Sequence, residues 1–425
     1  MLGKHVRVDR INFLSIFLVF IVLTISLSHF LNSFASSNVY KSLSTQGKIT
    51  YSSSAARPLH VEGTSIKNDL GAVVNIRGVN RMWFESHPGG GWWMDVYYHD
   101  RGETYNEPYW KENVNAELEI MRSWGVNSIR FHQAVEHWKY DIGHHREIIK
   151  ELLDIMAEKN MYMIFDFYCV TSMAPDPLPP ALGGGKQDPL PYPPFQISEN
   201  AELVISNEQE FIALWESVAS ELKDYPNIIF ELWNEPNRGN YEEEQALNSW
   251  FAVVQSCIDV IRSVGAKQLI IVHWGYNCWV DLNNPPPDHN ARTMDWVWSV
   301  DLQDPLNNLA YSTHIYRYHG SFHRWEGTQV HAWTREDIET AFKLMKLDKV
   351  AQSYPLIVGE IGADIYASDL SNELEAYENC LSIFDEWGIH YLGWCWASLG
   401  RFALHTGHPS YEPTDAGEIF SRYLI

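Results

Sequence analysis

From about residue 75 onward one unit recurs: an amphipathic segment, a residue suited to a left-handed turn, then a short apolar run. Gly125, Asn160, Gly265 and Gly388 stand at that joint. Glycine and asparagine tolerate positive φ, which ends a helix and redirects the chain. Helical spacing is plain in Val114, Leu118 and Met121 and in Ile149, Leu152, Leu153 and Met156. It predicts helices over 112–124, 146–158, 208–223, 243–264, 336–350, 370–387 and 415–424. Strands are expected over 75–82, 127–133, 162–168, 228–233, 269–274, 309–316, 356–362 and 390–396. Strands this apolar are buried on both faces, as in a parallel sheet covered by helices. The fold class is therefore α/β, a (β/α)8 TIM barrel. A doubly wound sheet is the alternative, but no glycine-rich phosphate loop follows the first strand.

Helix-to-strand joints are short, whereas 83–109, 174–197, 275–308 and 318–333, each after a strand, are long and rich in aromatic residues or proline. All four are expected on one face, where such barrels place their active sites. The chain carries 18 Trp, enough both to line a groove and to fill a core. Its formal net charge of −23 argues against nucleic acid or anionic lipid as partner.

Residues 1–35 read as a signal peptide or membrane anchor. Lys4, Arg7 and Arg10 precede an apolar run over 11–31, and small residues follow at Ser33 and Ala35. The run approaches the length of a membrane span, so an uncleaved anchor is the alternative to a cleaved signal. Either way the protein is expected to be secreted or held on the outer face of the membrane. The Ser-rich stretch 36–57 reads as a linker and 58–425 as the folded domain. The five cysteines form no C-x-x-C pair and read as buried thiols. No metal-ligand spacing appears among His314, His319 and His323, and no cofactor is expected.

Two strands end alike. Ile-Ile-Phe-Glu-Leu-Trp-Asn-Glu-Pro over 228–236 brings Glu235 to the mouth of an apolar run that a proline stops. Leu-Ile-Val-Gly-Glu-Ile-Gly over 356–362 does the same with Glu360. A carboxylate on an apolar strand is costly unless solvated, paired or protonated. Two facing carboxyls are what glycosidic-bond hydrolysis requires. Arg130 ends the second strand in Ser-Ile-Arg-Phe, and a cation inside a barrel mouth needs a carboxylate.

The Asn-Glu-Pro and Gly-Glu-x-Gly strand ends resemble glycoside hydrolase family 5, of the clan of (β/α)8 retaining glycosidases. The likeness extends over roughly 58–425, and 59–80 resembles that family's N-terminal β-hairpin and first strand. The resemblance implies that Glu235 is the general acid/base and Glu360 the nucleophile, with Arg130 beside it. It implies further that Asn234 bonds the sugar 2-hydroxyl, that His314 lines the glycone subsite and that the Tyr316 hydroxyl contacts the nucleophile. One strand-eight tryptophan is the sugar platform; Trp394 and Trp396 are both candidates, and Trp394 is preferred. Many members end the third strand with Asp-x-His; here Tyr168 stands where that His is expected. The function implied is a retaining endo-β-glycanase acting on cellulose or another β-1,4-glucan, with β-mannan as the alternative polymer. A non-catalytic carbohydrate-binding barrel would keep the aromatic loops but lose a carboxylate, and neither is lost.

Overall fold

A computed structural model of the chain describes residues 56–82, 107–141, 145–168, 208–236, 243–275, 277–282, 291–316, 322–323, 325–326, 329–330, 333–398, 400–407 and 410–425. All belong to one unit, Ser53–Ile425. The leader, nearly all of the linker, the loop stretches 83–106 and 174–197, and Cys169 lie outside the described residues.

Eight parallel strands close into a barrel: Arg77–Met82, Ser128–Ala134, Tyr162–Tyr168, Ile228–Glu231, Ile270–His273, Leu309–Ile315, Leu356–Ile361 and His390–Gly393. Each predicted strand is present, most of them a residue or more shorter than expected. Covering helices include Glu107–Trp124, His145–Glu158, Glu208–Leu222, Glu243–Ser263, Leu370–Trp387 and Asp415–Arg422. The four joint residues have positive φ, from 58° at Asn160 to 100° at Gly125. The helix expected over 336–350 is two, Arg335–Leu344 and Leu347–Ala351, separated at Lys346 with φ 69°. The Met345 carbonyl there accepts the Met294 N–H, a tertiary bond that spacing does not reveal. A short helix, Val135–Tyr140, follows the second strand and was not expected.

The N-terminal hairpin pairs Leu59–Glu62 with Ser65–Asn68. Leu59 and Ile66 join Ile164, Ile229, Ile271, Ala310, Ile357 and Leu392 in an apolar plug inside the barrel. Asn308 ties the hairpin to the sixth strand, accepting from Val61 N and donating to Leu59 O. The outward strand residues pack on the helices. Trp138, Trp215, Trp233, Trp250 and Trp396 are fully buried, so much of the tryptophan surplus is core. Cys257, Cys278, Cys380 and Cys395 are buried. No described helix is long and apolar enough to cross a membrane.

The loops after the fifth and sixth strands meet on one side, where Val280–Asp281 pairs with Phe322–His323. Cys278 N–H bonds the His314 carbonyl, so the former loop runs along the end of the sixth strand.

Candidate active site

Above the apolar plug the inward positions turn polar. Asn80, Arg130, His132, Asp166, Glu231, His273, His314 and Glu360 all lie in the carboxyl-end half of the barrel, and each is at most 5% exposed. Period-two alternation sends each one inward: Arg130 and His132 share a face, as do Ile164 and Asp166, Ile229 and Glu231, Ile271 and His273. Glu360 is the exception. Simple alternation from the inward Ile357 would point it outward. A bulge shifts the register, pairing Val358 with Thr313 but Glu360 with His314, and the extra residue is Gly359. Bulges re-aim side chains in this way. A Cβ at Gly359 would lie 3.0 Å from Ser312 Oγ and 3.1 Å from His314 Nε2, so glycine suits the bulge.

Glu235 is placed differently. Its strand ends at Glu231, Asn234 N–H bonds the Phe167 carbonyl, and the chain turns at Glu235 with φ 49°. That left-handed conformation is strained for a non-glycine residue and is commonest at functional sites. The turn leaves the Glu235 side chain 24% exposed, against 7% for Glu360. One oxygen of Glu235, one of Glu360 and a ring nitrogen of His314 all lie within 4.8 Å of one another.

The two carboxyls have opposed surroundings. Glu360 Oε1 accepts from Arg130 Nη1 at 2.9 Å and Oε2 from the Tyr316 hydroxyl at 2.6 Å. Burial raises Glu360 above the ordinary carboxylate value, an effect that Arg130 and Tyr316 oppose by favouring its charged form. Burial and the nearby charge of Glu360 push Glu235 well above the usual carboxylate range. Glu235 therefore takes a proton first. Its Oε1 lies 2.8 Å from Nδ1 of His314, which burial keeps neutral.

Arg130 is fully buried among carboxylates. Its Nε and Nη2 bond both oxygens of Glu231 at 2.6 and 2.9 Å, and Nη2 lies 3.0 Å from Asp166 Oδ2. Nη2 also donates to Asn234 Oδ1 at 3.0 Å. One cation cannot hold three dry carboxylates ionised. Burial alone would raise Glu231, but Arg130 more than reverses it and its pKa falls. Burial lifts Asp166 well above the usual range despite Arg130.

The structure thus gathers Glu235, Glu360, Arg130, Asn234, His314 and Tyr316. His314 sits fully buried between the two carboxyls, so it meets them rather than an open subsite. Trp394 stands beside the site, edge-on to His132 with centroids 5.3 Å apart. Trp396 does not belong to it. It is 1% exposed, its indole N–H bonds Glu117 at 2.8 Å, and its ring stacks on Tyr411. The two tryptophans diverge because the strand ends at Gly393, before period-two alternation reaches them. Tyr168 closes the third strand opposite Ala134, and its side chain lies outside the described set.

Asn80, His132, Asp166, Glu231 and His273 were not picked out from the sequence. The signal was there: polar residues at every second position of strands otherwise apolar. Glu231, His273 and His314 also lie within 4.8 Å of one another, a donor set that suits a divalent ion. Arg130 already holds both Glu231 oxygens. A cleft of about 610 Å³ opens at the other end of the barrel, by Asn75, Asn127 and Tyr162. Its acidic side chain, Asp385, is bound by Arg77 at 2.7 Å, so the chemistry lies at the carboxyl end.

A (β/α)8 barrel with two carboxyls of unequal surroundings facing each other at its strand ends has the form of a glycoside hydrolase. The family model for cellulase (glycosyl hydrolase family 5) matches residues 93–400, and the chain belongs to that family. It is 27% identical over 202 residues to Endoglucanase A of Paenibacillus barcinonensis, covering 42% of this chain and 48% of that protein. It is 29% identical over 107 residues to Endoglucanase EG-II of Hypocrea jecorina, covering 25% of this chain and 23% of that one. These matches thus span half or less of the relatives' lengths. Among solved structures, a β-glucanase of Saccharophagus degradans superposes with TM-score 0.59 at 17% identity, over 89% of this chain and 97% of that one. An endocellulase of the archaeon Pyrococcus horikoshii gives 0.59 at 16% identity, over 88% and 100%. At these identities the likeness is one of fold.

Proposed function

We propose that the chain is a retaining endo-β-glucanase that cuts β-1,4-linked glucan. The observation that carries this reading is the approach of Glu235 and Glu360 to within 4.8 Å through one oxygen each. Retaining pairs stand roughly 5 Å apart, whereas inverting pairs leave room for a water at about 6.5–9.5 Å. Glu235, holding a proton, gives it to the glycosidic oxygen as that bond breaks. Glu360 attacks the anomeric carbon and forms the glycosyl ester. Glu235, now a carboxylate, takes a proton from water, whose oxygen attacks the same carbon and frees Glu360. Trp394 offers a face for a pyranose ring, and Asn234, fixed by Arg130, contacts the 2-hydroxyl.

Glucan is preferred as polymer because the similar proteins are named endoglucanases, and the S. degradans β-glucanase was solved with cellotetraose. The basic start and apolar run over 11–31 support action outside the cell. The test is hydrolysis of β-1,4-glucan, β-mannan and xylan, with the first product followed by NMR. Glucan cleavage giving the β-anomer first supports the reading. Mannan as the sole substrate overturns the polymer, and an initial α-anomer overturns retention.

A further inference from the structure

His132 has no part in these steps, yet it meets three of the groups that act in them. It is 2% exposed and pairs in register with Asp166 on the next strand. Burial and the Arg130 charge keep it neutral, so one ring nitrogen carries a hydrogen and the other a lone pair. Nε2 lies 2.9 Å from Arg130 Nη1. A guanidinium only donates, so Nε2 is the acceptor and the proton sits on Nδ1. Nδ1 in turn faces Asp166 Oδ2 at 3.1 Å. Asn80 Oδ1 is 3.2 Å from Nε2, but the Asn80 amide donates to the carbonyls of Gly359 and Gly393. Its Oδ1 is thereby fixed as a second acceptor, 3.1 Å from Arg130 Nη1; of the two Nη1 hydrogens one goes to Glu360 and the other is shared between His132 Nε2 and Asn80 Oδ1.

Arg130 thus has two edges. Glu231 holds Nε and Nη2. The Nη1 edge faces Glu360 and is held by His132 and Asn80, with Nε2 only 3.6 Å from Glu360 Oε1. When Glu360 becomes an ester it loses the charge that attracts Nη1. The neutral acceptors His132 and Asn80 then keep the guanidinium where it is, ready for the second step. The same ring lies edge-on to Trp394.

We propose that His132, its Nε2 lone pair turned to Arg130 and its proton therefore on Nδ1, is a positioning residue that fixes the Nη1 edge of Arg130 against the nucleophile and braces Trp394. The inference rests on Glu360 being the nucleophile. Two variants separate its parts. His132→Phe keeps a ring beneath Trp394 and removes the lone pair; His132→Gln restores an acceptor. With an aryl cellobioside, His132→Phe is expected to lower kcat about tenfold with KM within about twofold. The ascending limb of its kcat/KM profile should move to higher pH, because Glu360 loses part of its hold on Arg130. The other groups facing Glu360, namely Glu231, Glu235, Asp166, His314 and Tyr316, are unchanged in both variants. His132→Gln should recover most of kcat and return the limb. Equal losses in both variants, or an unmoved limb in His132→Phe, would overturn the proposal. Neutron diffraction of the unmodified protein reads the tautomer without turnover and without a variant that must fold. A hydrogen on Nε2 refutes the inference. A hydrogen on Nδ1 in a protein whose Glu360→Ala variant still hydrolyses glycosides refutes the proposed mechanism, and the positioning role falls with it.

Discussion

Arg130→Met replaces a fully buried guanidinium by an unbranched apolar chain of similar length. Around it the change leaves Glu231, with no cation in place of its bonds at 2.6 and 2.9 Å, and Glu360, without its bond at 2.9 Å. Breaking a buried ion pair by removing one partner costs about 3–5 kcal/mol, because an uncompensated charge stays in the interior. The cost has a pH signature. In the unmodified protein Glu231 is depressed, so its contribution is present above the ordinary carboxylate pKa and fades as pH falls through the folded value. In the variant the Arg130 charge is gone and only His273 still opposes burial at Glu231, so its pKa rises. The folded variant then binds more protons than its unfolded chain, and its stability falls as pH increases. The difference between the two proteins should therefore be near 3–5 kcal/mol at pH 7 and distinctly smaller near pH 4.5. Urea unfolding followed by tryptophan fluorescence at both pH values measures it. A deficit below about 1 kcal/mol at pH 7, or one equal at the two pH values, would refute the charge argument.

Glu235→Ala should still be glycosylated by an activated aryl glycoside, and azide should restore turnover with a β-glycosyl azide, whereas Glu360→Ala with azide should give the α-azide; NMR of the products decides, and an α product from Glu235→Ala reverses the roles. Trp396→Ala should cost about 3–5 kcal/mol of stability by cavity formation, while Trp394→Ala should raise KM on polymer and leave the unfolding midpoint nearly unchanged. Gly359→Ala puts a methyl at 3.0 Å from Ser312 Oγ and 3.1 Å from His314 Nε2; the expected result is about a tenfold loss of kcat, as His314 is pushed toward Glu235, with a stability loss of about 1–3 kcal/mol.

The barrel was legible because its signals are local. A left-handed residue after each of four helices, and strands apolar on both faces, leave few topologies. The two candidate carboxyls were legible because each sits where an apolar run stops. The polar layer was harder to see, since each of the first seven strands contributes only one or two members and Glu231 is hidden in Ile-Ile-Phe-Glu-Leu-Trp. What makes it a layer is that eight strands stand at one height, a fact of closure that no single strand contains. Gly359 shows the limit most sharply. Strict alternation sends Glu360 to the helices, and only the bulge turns it inward. Trp396 is the converse case: alternation would set it on the same face as Trp394, but the strand ends at Gly393 and the ring turns into the core.

The layer also explains why Arg130 gives two bonds to Glu231 and one to Glu360. A nucleophile clamped on both oxygens by a guanidinium would be stabilised in the ground state and would lose that stabilisation on attack. Here the two-point contact goes to Glu231, which never reacts. Glu360 receives a single Arg130 bond on Oε1 and the Tyr316 hydroxyl on Oε2. In the free site the charges of Arg130, Glu231 and Glu360 leave one negative charge over, which adds to burial in favouring the protonated forms of Glu235 and Asp166. In the proposed mechanism esterification of Glu360 removes that charge and leaves Arg130 and Glu231 as a neutral pair, so no unpaired ion stays buried in the intermediate. It also removes the repulsion that kept the Glu235 proton in place, just when Glu235 must serve as a base. A Glu231→Gln variant would break this arrangement without touching substrate. Arg130 would turn its charge fully on Glu360, and the ascending limb of kcat/KM should move to lower pH while kcat falls. A limb that stays in place or moves upward would mean that Glu231 is merely structural.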